Sequence, residues 1–164
     1  MENKMNLQQT ASIEKVREVV EASSICLFVS SLTVTPLAAN TQMVDSDGTL
    51  WFLSNASSSK NREIADDTRV QLFFSNKGNA EYLSIFGKAT IVVDRDHARR
   101  VWNAGTTGFF ESESDPEITL VKVQPVNAHY WDNRQNKMIG LVKMMASAMT
   151  GKALDENVQG DFRF

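Results

Sequence analysis

The sequence predicts a mainly β (α+β) fold, a small β-barrel with helices added at its periphery. Many short stretches rich in Val, Ile, Leu and Phe are separated by turn sequences, which is typical of all-β barrels. Few stretches show helical spacing. The chain has 164 residues and contains no internal repeat, low-complexity tract or linker. We therefore expect a single domain over residues 1–164, with a core at about 12–150 and a tail at 151–164.

The first half of the chain predicts two helices and five strands. Residues 12–21 predict a helix, because Ile13, Val16 and Val20 recur at helical spacing after a capping serine. Strands are expected at 24–33, 38–44, 49–54, 69–76 and 81–93, and a second helix at 58–66. An Asp-Ser-Asp-Gly turn at 45–48 makes a hairpin of the second and third strands. Gly87 interrupts the fifth strand, which predicts a bulge or a close backbone approach.

The second half predicts further helices and a strand pair broken at Pro125. A helix over 95–103 follows the capping residue Asp94. Residues 104–115 predict a loop with a helical turn at 109–110, and strands are expected at 118–124 and 126–132. A methionine-rich apolar stretch at 138–149 predicts a closing helix. Residues 152–164 predict a polar tail that is mobile until its aromatic end.

Composition narrows the class of protein. A net charge of -3 gives no reason to expect nucleic-acid binding, and no apolar run resembles a signal peptide or a membrane span. We therefore expect a cytoplasmic location. Cys26 is the single cysteine, so no intramolecular disulfide can form, and its apolar neighbours predict a buried, inert thiol. His97 and His129 have no ligand partners at metal-binding spacing, so no metal is expected.

The start of the second helix is the first candidate site. The strand expected at 49–54 leads into Ser57, Ser58 and Ser59, all good N-cap residues, and then into Lys60. A cation in the first helical turn is disfavoured unless an anion is near. Free N–H groups, hydroxyls and one lysine could therefore hold a phosphate. On this stretch alone the simpler interpretation, an ordinary serine cap followed by a solvated lysine, is favoured.

Four short motifs, in order, support the phosphate interpretation. They are Thr-Pro-Leu-Ala-Ala at 35–39, the stretch from Gly48 to Lys60, Tyr-Leu-Ser-Ile-Phe-Gly-Lys-Ala at 82–89 and Tyr-Trp-Asp at 130–132. Over residues 24–151 the chain resembles the pyridoxamine 5′-phosphate oxidase-like split-barrel flavoproteins, and within them the general stress protein 26 branch. The resemblance implies a six-stranded antiparallel split β-barrel with Greek-key topology.

The resemblance also implies an FMN site at a homodimer interface. Lys60 would contact the FMN phosphate, with Ser58 and Ser59 as neutral donors. Leu53 and Ser54 would lie beside the flavin ring. The remaining implied residues are Thr35, Pro36, Leu37 and Ala38 at the polar edge of the ring, and Tyr82 and Trp131 from the partner subunit. The chain departs from many relatives in having Thr35 in place of an arginine and Leu37 in place of a methionine, and it thereby loses a bidentate, always-charged donor.

Several functions remain open at this point. The first is an FMN-dependent oxidoreductase of unknown substrate, and the second is a non-enzymatic flavin-binding or stress protein. Haem or deazaflavin binding on the same barrel, or a dimer without a ligand, are further alternatives. No catalytic residue is named, because a flavin itself carries the redox step. Oxidation of pyridoxamine phosphate is not expected, since residues 132–136 lack the Arg-x-His segment of the true oxidases.

Overall fold

The computed structural model describes residues 2–102, 110–132 and 161–163. Its elements are α1 (Glu2–Ala22), β1 (Ile25–Val29), β2 (Leu37–Val44), β3 (Leu50–Asn55), α2 (Ser59–Asp66), β4 (Arg69–Asn76), β5 (Glu81–Val92), α3 (Arg95–Val101), β6 (Ile118–Asp132) and β7 (Asp161–Arg163). The closing helix expected at 138–149 lies outside the described residues.

The strands form a six-stranded antiparallel barrel, as the sequence predicts. Their order is β3-β2-β1-β4-β5-β6, and pairing of β3 with β6 closes the ring. After β3 the chain passes through α2 and returns to place β4 beside β1, so β3-β2-β1-β4 is a Greek key. The mainly β, split-barrel prediction is therefore confirmed.

The prediction of two strands broken at Pro125 is wrong, because β6 runs through this proline as one strand. Phe86 pairs with Asn127 and Gly87 with Pro125, so Val126 is the extra residue of a bulge. A bulge is a position where a strand tolerates a proline. The close approach predicted at Gly87 is confirmed, since a Cβ there would lie 2.7 Å from the Gln124 carbonyl oxygen.

The structure extends the first helix and orders the aromatic end of the tail. The first helix begins at Glu2 rather than Ser12. Residues 2–11 contain no glycine or proline and are rich in good helix formers, so the helix continues where apolar spacing gives no signal. The aromatic end of the tail, which the prediction of mobility did not include, contributes β7, which pairs with Asn127–His129 of β6. At these residues β6 extends past β3, and its edge is open to another strand.

Two hydrophobic clusters hold the barrel together. The larger fills its interior and includes Phe28 and Phe52, whose rings meet edge to face at 5.3 Å, together with Val16 and Val19 of α1. The smaller lies outside β3 and β6, where α3 packs. It contains Trp51, Ala98, Val101, Ile118 and Leu120, with Met43, Leu53, Val92, Trp102 and Phe110 packed against it.

A buried carboxylate ties α1 to the barrel. The Glu81 side chain is 0% exposed. It accepts hydrogen bonds from Lys15 Nζ at 3.0 Å, Tyr130 Oη at 2.6 Å and Asn76 Nδ2 at 2.9 Å. Burial raises the pKa of Glu81, but the hydrogen bonds from Tyr130 and Lys15 and the charge of Lys15 help to hold it below the usual value. The Glu81 carboxylate of β5 is thus hydrogen-bonded to side chains of α1, β4 and β6.

Candidate functional site

The start of α2 is fixed by a serine cap and a buried polar network. Ser58 is the N-cap and its Oγ accepts a hydrogen bond from the Asn61 backbone N–H at 3.2 Å. Ser54 Oγ donates to Asn61 Oδ1 at 2.7 Å, and Asn61 Nδ2 donates to Thr119 Oγ1 at 2.8 Å. These bonds tie the first turn of α2 to β3 and β6, so Ser58 and its neighbours occupy defined positions.

Lys60 is a partly desolvated cation without a counter-ion in the described part of the chain. Its Nζ lies 5.3 Å from the centroid of the Phe28 ring, a cation–π distance. None of the ion pairs of the described residues involves Lys60. Burial lowers the pKa of Lys60 below its usual value. The expectation of a solvated lysine is therefore wrong, and the charge is placed where an anion would stabilise it.

A cavity of about 520 Å³ lies beside this lysine, on the outer face of β2 and β3. Its apolar lining consists of Ile25, Leu37, Ala38, Ala39, Leu53 and Phe110. Its polar lining consists of Asn40, Gln42, Ser54, Asn55, Ser58 and Lys60. Within the described lining Lys60 is the single charged residue. The volume falls in the range of small-molecule sites, roughly 300–1,000 Å³.

The structure brings together six of the residues that the sequence analysis selected. Leu37, Ala38, Leu53, Ser54, Ser58 and Lys60 all line the cavity. Thr35, Pro36 and Ser59 are exposed and are not among its lining residues. Ser59 is the first residue of α2, so its side chain leaves the helix in a different direction from that of Ser58.

Tyr82 and Trp131 line a second depression, a groove of about 460 Å³. They are directly opposite each other on β5 and β6. The groove also contains Ile25, Leu27 and Phe73, which are 63%, 52% and 45% exposed. Ile25 lines both the groove and the cavity, so the two depressions adjoin on the barrel surface. We call the exposed apolar set Ile25, Leu27, Phe73 and Tyr82 the outer apolar face.

Sequence reasoning missed several lining residues. Asn40 and Gln42 could have been found, because they follow Ala38 at a spacing of two on the same strand face. Asn40 Oδ1 is buried and has no hydrogen-bond partner in the described structure. Phe110 carries no sequence signal, since it follows α3 and reaches the cavity only through the tertiary fold.

Two other sequence expectations concern single residues. Cys26 is buried, as predicted, and burial raises the pKa of its thiol to about 12, which disfavours the reactive thiolate form. His97, expected on a charged helix face, is instead buried with its ring 3.9 Å from that of Trp51. Among the residues whose side chains the structure describes, no group of three or more His, Cys, Asp or Glu could hold a metal ion.

The fold and the cavity define a class, the small split barrels with a cavity on the outer face of the barrel strands. A family model described as pyridoxamine 5′-phosphate oxidase-like matches residues 11–155, and the chain belongs to this family. The resemblance drawn from the four motifs is thereby confirmed.

Several relatives can be compared with the chain. It is 26% identical over 117 residues to protein bli-3 of Neurospora crassa, covering 66% of this chain and 56% of that protein. The chain thus spans little more than half the length of this curated relative. The general stress protein 26 of Bacillus anthracis is 20% identical with a TM-score of 0.63, covering 73% of this chain and 92% of that chain. The general stress FMN/FAD binding protein of Xanthomonas citri is 21% identical with a TM-score of 0.66, and the match covers 77% of this chain and 92% of that chain. The two structures establish a shared fold.

Among the described helices, none combines the length and the apolar character needed to cross a bilayer.

Proposed function

We propose that this protein binds FMN in the cavity beside Lys60 and acts as an FMN-dependent oxidoreductase. The observation that carries the proposal is the Lys60 ammonium, which borders the cavity, is partly desolvated and has no described counter-ion. A phosphate would supply that counter-ion. The name of the Xanthomonas citri structure, which describes that protein as FMN/FAD binding, supports the choice of a flavin.

The lining of the cavity fits a flavin monophosphate in chemical terms. Lys60 would hold the phosphate, with the Ser58 hydroxyl as a neutral donor. Leu53, Leu37 and Ala38 offer apolar contact to a planar ring. Asn40, whose Oδ1 is buried without a partner, would find a donor in a ring N–H group. The absence of an arginine at Thr35 leaves Lys60 as the charged residue of the described lining.

The proposal includes a homodimer in which each subunit completes the other's site. The outer apolar face adjoins the cavity through Ile25, and its large side chains are exposed in one chain. Exposed, contiguous apolar residues mark interaction surfaces. A second copy packed on this face would cover them and bring its Tyr82 and Trp131 to the cavity of the first.

The bound flavin would supply the electron transfer, since isoalloxazine accepts and donates electrons. The protein's own residues would bind the phosphate, orient the ring and exclude water from it. No substrate is named, and the segment after Trp131 gives no support for pyridoxamine phosphate. The competing function is flavin binding without turnover.

The test is a visible absorption spectrum of the purified protein followed by titration with FMN. We expect a flavin spectrum, or tight uptake with quenched fluorescence, and reduction of the bound flavin by NAD(P)H. Stable binding without reduction by any donor would favour the non-enzymatic alternative. A protein that ignores FMN and takes up haem or a deazaflavin would overturn the proposal.

A further inference from the structure

Phe110 lines the cavity from outside the segment that supplies its other walls. The other described lining residues all come from residues 25–60, whereas Phe110 follows α3. It is half-buried, and its ring lies 6.3 Å from that of Trp102 at an interplanar angle of 53°. One face of the cavity is therefore built by a residue about fifty positions further along the chain.

This wall is supported by the smaller hydrophobic cluster. Phe110 and Leu53 both pack against that cluster, and both line the cavity. The cluster is itself anchored by Trp51, whose ring stacks on His97 and whose Nε1 donates to Asp45 Oδ2 at 2.7 Å. Because side chains held by packing lose little freedom on binding, Phe110 is pre-organised for a ligand.

We propose that Phe110 is a ligand-binding residue that contacts the aromatic ring system of the cavity's occupant. The inference rests on the proposed FMN site and adds a contact to it. An apolar ring beside Leu53 favours a planar aromatic ligand over a flexible polar one, because aromatic pairs gain energy beyond their buried area. Lys60, by contrast, acts on the phosphate. The two residues therefore contribute to different parts of one ligand.

The experiment compares FMN with riboflavin, which has the same ring and no phosphate. Phe110→Ala and the milder Phe110→Leu are each titrated with both flavins. We expect Phe110→Ala to weaken both by a similar factor of about tenfold, the scale of one lost aromatic contact with its buried area. Phe110→Leu retains an apolar side chain and is expected to fold. It should weaken both flavins by a smaller but again similar factor, and it should change the spectrum of the bound flavin.

Met43→Ala is the matched control, because Met43 packs against the same cluster but does not line the cavity. We expect it to lower thermal stability while leaving flavin affinity and spectrum unchanged. Equal weakening by Met43→Ala and Phe110→Ala would overturn the inference, as would unchanged affinity and spectrum in both Phe110 variants. In those cases the wild-type protein still binds FMN and the proposed function stands. A wild-type protein that binds neither flavin would overturn both.

Discussion

Lys15 Nζ of α1 lies 3.0 Å from Glu81 Oε1 at the start of β5. The contact spans 66 residues of sequence and attaches the first helix to the barrel. Glu81 is fully buried, whereas the other partner of Lys15, Glu18, is 59% exposed. The lysine thus joins a surface carboxylate to an interior one, and the two pairs should differ in their contribution to stability.

Replacement of the buried carboxylate should destabilise the protein strongly. We expect Glu81→Ala to lower the free energy of unfolding by about 3–5 kcal/mol, because it strands the buried Tyr130 hydroxyl and removes the buried partner of the half-buried Lys15. The measurement is urea denaturation followed by circular dichroism. Glu18→Ala is the control and should cost about 0–1 kcal/mol, as exposed pairs do. Equal effects of the two variants would show that burial does not set the strength of this pair.

The same network predicts how stability depends on pH. Because the pKa of Glu81 is lowered in the folded state, its contribution is present above the usual value of 4.5 and is lost as the pH falls through the folded value. On the alkaline side, burial and then the Glu81 hydrogen bond raise the pKa of Tyr130 to about 12. The contribution of Tyr130 to stability is therefore present below the usual value of 10.0 and is lost as the pH rises through about 12.

We expect the wild type to lose stability between pH 5 and 3 more steeply than Glu81→Gln, which has no titrating group at this position. Urea midpoints at the two pH values measure the difference. Identical acid slopes in the two proteins would mean that Glu81 titrates alike in the folded and unfolded states.

Loss of the Lys60 charge should affect FMN and spare riboflavin. We expect Lys60→Ala to weaken FMN binding by roughly 1.5–3 kcal/mol, the range for a hydrogen bond to a charged group. Fluorescence titration with both flavins measures this, and the exposed turn residue Lys77, replaced by alanine, is the control. Unchanged FMN affinity in Lys60→Ala would remove this lysine from the site.

A charge on the outer apolar face should break the proposed dimer. We expect Leu27→Glu to give a monomer, because the interface would have to bury a carboxylate without a partner. FMN affinity should fall about tenfold or more as the partner's aromatic residues are lost. Light scattering after gel filtration measures the mass. Val93→Glu is the control, since Val93 is 70% exposed and lines neither the cavity nor the groove. A Leu27→Glu protein that remains dimeric would place the interface elsewhere.

The bulge in β6 should not tolerate a side chain at Gly87. A Cβ there would lie 2.7 Å from the Gln124 carbonyl oxygen, so we expect Gly87→Ala to destabilise by about 1–3 kcal/mol. Thermal unfolding measures the loss. Gly78→Ala is the control, because its Cβ would meet its nearest neighbour at an ordinary 3.5 Å. If both variants melt at the same temperature, β5 and β6 can separate at the bulge without cost.

Local patterns predicted much of the fold. The turn at 45–48 and the serine cap of α2 each depend on residues within a few positions of one another, and each is found in the structure. Pro125 led to the wrong prediction of two strands, because whether a proline ends a strand depends on the bulge that β6 forms opposite β5. The helix before Ser12 was missed because helix propensity without apolar spacing leaves no periodic signal.

The residues of the candidate site also fall into two groups, those that local sequence patterns select and those that only the tertiary fold reveals. The residues that precede and begin α2 could be selected from sequence because the cap, the hydroxyls and Lys60 are neighbours in the chain. Asn40 and Gln42 were missed, although their spacing of two after Ala38 places them on the same face of β2. Phe110 required the packing of α3 on Trp51, which no pattern around residue 110 encodes.

The sequence by itself determined the strand-rich barrel, the serine-capped start of α2 and the lysine that follows it, because hydrophobic alternation and capping are local properties of the chain. Only the tertiary structure decided that Lys60 lies partly desolvated beside a cavity and that Phe110 forms one of its walls. It also decided that Ile25 joins this cavity to the groove of Tyr82 and Trp131. The physical reason is that desolvation and enclosure arise from packing between distant segments, which depends on the closed barrel as a whole.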